Sequence, residues 1–163
     1  MKIKEKRLLR GPNLYADSPC LMAVIDDGFN KAPGFAARLF ALLPALPPDA
    51  AVRLADDALL VEAIEPVVME LQRLAGAPGS FGPTLPVSGA PRARRVVCGY
   101  GTEQVADAAL RVAVDLVHAA AEDRSYELAG ALDALRETAA DYAIGTSTNA
   151  VVQAGLRRGI PAL

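Results

Sequence analysis

The chain has 163 residues with 17 Lys or Arg, 19 Asp or Glu and a net charge of −2, enough for one domain with a real core and without the basic excess of a nucleic-acid binder. Hydrophobic residues make up 52% and aromatics only 5%, with no Trp, which favours helices and close packing over an aromatic cleft. Cys20 and Cys98 stand alone, so a disulfide framework or zinc cluster is not expected, and a reducing cytoplasm is the simpler setting.

Lys2 to Leu9 predicts a short edge strand, where lysines discourage unwanted pairing. No long apolar run follows this charged start, so it does not read as a signal peptide, and nothing approaches the about 20 apolar residues of a membrane span. Arg10-Gly11-Pro12-Asn13 predicts a turn. Leu21 to Ile25 predicts a second strand, closed by Asp26-Asp27-Gly28. Phe35 to Leu43 predicts a helix after Pro33-Gly34, stopped by Pro44, Pro47 and Pro48.

Leu59 to Gly76 is the densest helical pattern. Leu60, Ile64, Val67, Val68, Leu71 and Leu74 recur at the spacing of a buried stripe, and Gly76 stands at the expected C-terminus. Asp56 and Asp57 are the candidate N-caps. Pro66 interrupts the stripe. It predicts a kink, with a helix start at Pro66 as the other way to accommodate a missing donor.

Ala77 to Ala93, rich in Pro, Gly and Ser, reads as a long loop. A strand is expected at Val96 to Tyr100. A helix capped by Thr102 is expected from Glu103 to Ala120, and another capped by Ser125 from Tyr126 to Ala140. Ala143-Ile144 predicts a brief strand. A last helix starts at Thr146 or Ser147 and stops at Gly159 and Pro161. The order predicts one mixed-layer α/β or α+β domain over residues 1–163, a small sheet packed with several helices. The abrupt end after LRRGIPAL reads as a cut at a domain boundary or the loss of what followed.

Several pieces line up with one family: Arg10-Gly11-Pro12-Asn13 after a first strand, Pro33-Gly34-Phe35, Leu43-Pro44-Ala45-Leu46, EPVVMELQRLAG from Glu65 to Gly76 with Phe81-Gly82 after it, and GTSTNAVVQAGLRRGIP from Gly145 to Pro161. Their order and spacing resemble the N-terminal domain of cyanophycin synthetases. The resemblance implies ATP-dependent synthesis of an Asp/Arg polymer by ATP-grasp and Mur-ligase-like domains that these residues do not contain. ATP and Mg would belong to those domains, so no cofactor is expected here, and no phosphate-loop motif occurs. In the family, this domain is thought to hold the growing polymer, and in some members it resembles a metallopeptidase that cuts primers. The family pattern for that second activity resembles EHxxLELQ. Here the histidine position is Pro66, which cannot bind a metal, and the only histidine is His118 in a later helix. The segment from Pro47 to Asp57 also looks shorter than in the family and lacks its Gly-Gly-Phe stretch.

The candidate polymer-binding residues are Arg7, Arg10, Asn13, Glu70, Arg73, Arg92, Arg94 and Arg95. Arginine forks match carboxylates, and Glu70 could meet a guanidinium of the polymer. Against these stand ordinary readings: Glu70 paired to Arg73, a solvated basic loop, a plain Gly-Pro-Asn turn, an ordinary cap at Gly145 to Ala150 and a helix-face His118. No metal site and no catalytic residue is expected. The resemblance implies a non-catalytic polymer-binding and scaffolding domain. A divergent metal-dependent peptidase and a subunit-assembly piece are the alternatives. The implied partners are the polymer and either downstream synthetase domains or further copies of the chain, with no nucleic acid and no membrane.

Overall fold

A computed structural model describes residues 1–28, 32–47, 50, 54, 58–80, 82–143, 151, 154, 155, 157 and 158. Four strands form one antiparallel sheet: β1 (Lys2–Leu9), β2 (Cys20–Asp26), β3 (Thr84–Val87) and β4 (Ala90–Gly99), in the order β1-β2-β4-β3. The helices are α1 (Phe35–Leu42), α2 (Ile64–Leu74), α3 (Glu103–Ala121) and α4 (Leu128–Asp141), with a 3₁₀ turn at Leu60–Ala63 running into α2. This is the expected mixed architecture, with α2 and α3 packed on one face of the sheet.

Alternation along β2 explains the layering. Leu21, Ala23 and Ile25 join the main core with Val96 and Cys98 of β4. Cys20, Met22 and Val97 point the other way, into a small cluster covered by Leu9, Tyr15 and Val24. The alanines of α3, Ala106, Ala109, Ala113 and Ala120 among them, are buried and let that helix approach closely. Helix α2 is buried on nearly all sides: Ile64, Glu65, Val67, Val68, Leu71 and Gln72 are fully inside, and Pro66 is buried. Each large apolar side chain buried there contributes about 1.5–3 kcal/mol.

The C-terminus of α2 ends as the sequence predicts. Gly76 adopts φ 81, its N–H donates to Arg73 O, and Ala77 N–H donates to Gln72 O, a Schellman closure. Arg136 of α4 adds Nε to Leu74 O at 3.3 Å.

Four expectations need correction. Pro66 does not kink a continuous helix. The α-helix begins at Ile64, so Pro66 falls in its first turn, where backbone donors have no partner within the helix. The stretch read as a long loop contains a hairpin: β3 turns at Ser88-Gly89, with Gly89 at φ 73, straight into β4. Pro86 is tolerated because β3 is an edge strand. The helix after Tyr126 starts at Leu128, and its cap is Glu127, whose carboxylate accepts from Gly130 N at 2.8 Å, not Ser125. Thr102 does occupy the cap position of α3, but its side chain makes no capping bond. Asp56, Asp57, Ile144, Thr146, Ser147, Gly159 and Pro161 lie outside the described residues. Among the described residues, no helix is long and apolar enough to cross a membrane.

Candidate functional site

The helix α2 carries the first group of candidates. Glu70 is 6% exposed, and Arg73, one turn further on, closes on it as a fork: Nε to Oε2 and Nη2 to Oε1, each 2.7 Å. The spacing i,i+3 places both on one helix face. They line a cleft of about 230 Å³ with Pro47, Pro66, Met69, Pro78 and Gly79. Hydrogen bonding to Glu70 raises the pKa of Arg73 further, so its guanidinium stays charged.

The floor of that region is set by close backbone packing. A Cβ on Gly79 would meet Gly99 O at 1.9 Å, and one on Gly82 would meet Val97 O at 2.2 Å. Only glycine allows the segment after α2 to lie against the end of β4. Gln72 reaches the same place from the helix, donating Nε2 to Gly99 O at 3.2 Å.

The other candidates fall into three separate places. Arg10 and Asn13 lie at the end of the sheet where β1 meets β2. Arg10 forks onto Glu103 at the start of α3, Nε at 2.9 Å and Nη2 at 3.1 Å. That hydrogen bond holds the Glu103 carboxyl below its ordinary range, and burial raises the nearby Tyr100 phenol. Asn13 organises its own loop: its amide donates to Gly11 O and Ser18 O, and its carbonyl accepts from Tyr15 N and Ala16 N.

Arg92 and Arg94 sit at the opposite end of the sheet. Arg92 Nε donates to Asp27 O at 2.5 Å, and Arg94 Nε donates to Glu62 at 2.6 Å. Arg7 and Arg95 share the sheet face away from the helices. Arg7 pairs across from Met22 and Arg95 across from Val24, and those two β2 residues point the same way. Arg7 pairs with Glu5 at 2.6 Å. Arg95 lies over the Tyr15 ring, 5.9 Å from its centroid, and its Nε is enclosed with no hydrogen-bond partner among the described residues. The cluster Arg92, Arg94 and Arg95 is thus split, because neighbouring strand residues face opposite sides and Arg92 and Arg94 are tied to groups beyond the strand.

A metal of the kind the resemblance implies for some members does not fit here. Pro66 offers no donor, and both oxygens of Glu70 are engaged by Arg73. Among the described residues, no group of three or more His, Cys, Asp or Glu stands close enough to hold a metal ion. His118 lies on α3 against the Met1 amino group, and burial, assisted by that amine, lowers its imidazole pKa.

Sequence reasoning missed Asp27, read only as part of a turn. It is 1% exposed and its Oδ2 accepts from Leu60 N at 2.7 Å, capping the turn that leads into α2 from another part of the chain. It also missed Tyr15 as the platform for Arg95, a pairing set by the loop's return path rather than by spacing.

Comparison with known proteins places this geometry. The family model for the cyanophycin synthase-like N-terminal domain matches residues 24–122, more than half of the chain. Cyanophycin synthetase from Geminocystis herdmanii is 31% identical over 181 residues, covering 99% of this chain and 21% of the relative. Those from Synechocystis sp. and Trichormus variabilis are 30% and 29% identical, with 99% of this chain covered in each. The chain spans about a fifth of the length of these relatives. It belongs to the cyanophycin synthase-like N-terminal domain family.

Proposed function

We propose that this chain is a non-catalytic polymer-binding and scaffolding domain associated with a cyanophycin synthetase-like ligase. Its ligand is an Asp/Arg polypeptide. The ligase chemistry, with its ATP and Mg, belongs to other domains, and those domains or further copies of this chain are its protein partners.

The observation that carries the non-catalytic half is the state of α2. The position where relatives are read to carry a metal-binding histidine is Pro66, and of the two glutamates that remain, Glu65 is fully buried and Glu70 is closed by Arg73. The binding half is supported by the arginines around the sheet. The side chains of Arg7, Arg10 and Arg73 are 66%, 76% and 56% exposed, and each is paired to a carboxylate. The Arg7–Glu5 and Arg10–Glu103 pairs are solvated and worth little, and at Glu70 an incoming guanidinium can take the place of Arg73, so a ligand bearing both guanidinium and carboxylate groups can exchange with these pairs. A polymer repeats that exchange at many places, and the weak contacts add.

Co-sedimentation with insoluble Asp/Arg polymer tests this reading. The protein is expected in the pellet at low salt and in the supernatant as salt rises past about 0.2 M, where exposed charge pairs are screened. Protein that stays in the supernatant at low salt contradicts it.

A further inference from the structure

The α2 cleft contains its own description of a ligand. A carboxylate that is 94% enclosed stands among Pro47, Pro66, Met69, Pro78 and Gly79, and a guanidinium is bound to both of its oxygens. That guanidinium comes from Arg73, whose side chain is 56% exposed. The bond geometry is therefore that of a bidentate guanidinium site with solvent access, on a carboxylate with little other contact with water.

We propose that this cleft is an alkylguanidinium-binding subsite, and that Arg73 occupies it until an external guanidinium replaces it. The natural ligand would be an arginine side chain of the polymer, and only that assignment rests on the polymer-binding reading. Three features favour exchange. Arg73 lies three residues from Glu70 on a well-packed helix, so leaving the fork needs side-chain rotation and no change of fold. The walls are apolar and suit the methylene stem of an alkylguanidinium. The carboxylate is too enclosed to be left without a cation, so loss of Arg73 makes an incoming one more favourable. A point-charge ammonium cannot reproduce the two parallel bonds, which makes the site selective for the planar group.

The test uses ethylguanidinium as probe and ethylammonium as control on the full chain. In the wild type, ¹H–¹⁵N shifts are expected to move at Glu70, Arg73 and Gly79 with ethylguanidinium and not with ethylammonium. If Arg73 fills the site about nine-tenths of the time, Arg73→Ala binds the probe about tenfold more tightly. Ethylguanidinium should also raise the Tm of Arg73→Ala more than that of the wild type. Glu70→Gln should abolish the response in both. Shifts that map elsewhere in the wild type, equal response to ethylammonium, or an Arg73→Ala variant that binds no better would overturn the proposal. The wild-type shift map needs no variant to fold. Polymer co-sedimentation run alongside separates the two readings. Probe binding without polymer binding leaves the subsite standing and removes its polymer role, while polymer binding without probe binding removes the subsite alone.

Discussion

Two arginine–carboxylate forks in this molecule have the same chemistry and different surroundings. Arg73 closes on Glu70 within one turn of α2, and the carboxylate is 6% exposed. Arg10 closes on Glu103 across 93 residues, and that carboxylate is 23% exposed and its arginine 76%. The first fork joins residues that the helix already holds together, so it ties no distant parts of the chain, and the arginine can leave it by side-chain rotation once another cation takes its place. The second ties the end of β1 to the start of α3, yet does so in water, where the pair is weak. Position in the fold, more than the pair itself, decides whether a fork can serve a ligand.

Truncation on the core face of α2, the helix that carries the first fork, should cost the most. Leu71→Ala removes a fully buried side chain from α2 and is expected to cost about 2–5 kcal/mol in chemical denaturation. A loss below about 1 kcal/mol would mean that α2 is not the rigid base that makes the Glu70 cleft a defined site. Next comes the wall of the same cleft. Gly79→Ala places a methyl 1.9 Å from Gly99 O, so the backbone must shift, at about 1–3 kcal/mol by thermal denaturation. The substitution should disturb backbone shifts around Glu70 and leave those around Glu103 in place. Equal disturbance at both forks would remove the contrast between them.

The smallest effect is on the second fork and is seen through pH. The Arg10 hydrogen bond holds Glu103 below its ordinary value of 4.5. A depressed carboxylate contributes stability that is present above its unfolded pKa and lost as pH falls through the lower folded value. Arg10→Ala should therefore flatten the stability profile below about pH 4.5. His118 titrates in a higher window. Burial lowers it from 6.5, so its neutral form is favoured in the fold, and stability falls as pH drops from that value through the folded pKa. A profile below pH 4.5 that is identical in Arg10→Ala and wild type would show that the second fork does not form in solution.

Much of this arrangement was legible in local sequence. The stripe of α2, its Gly76 closure and the Glu70–Arg73 pair all follow from spacings of three to six residues. β1 and β2 were visible because apolar or alternating runs ended in turn residues. The β3–β4 hairpin was hidden because Pro86, Pro91, Ser88 and Gly89 give it the composition of a loop, while its pairing partner Val96 lies beyond the turn. The Arg10–Glu103, Arg94–Glu62 and Asp27–Leu60 contacts were also out of reach, since they join residues 93, 32 and 33 apart. Pro66 reads as a kink in the sequence because the 3₁₀ turn ahead of Ile64 continues the same apolar stripe, so periodicity alone cannot place the true start of the α-helix.

The role proposed for this domain is to hold an Asp/Arg polymer without cutting it. The direct measurement is to incubate the purified chain with insoluble polymer at low salt, spin, and assay the pellet for protein and the supernatant for soluble peptide. Protein in the pellet with no peptide released is the predicted result. Protein left in the supernatant, or soluble fragments that accumulate with time, would contradict it.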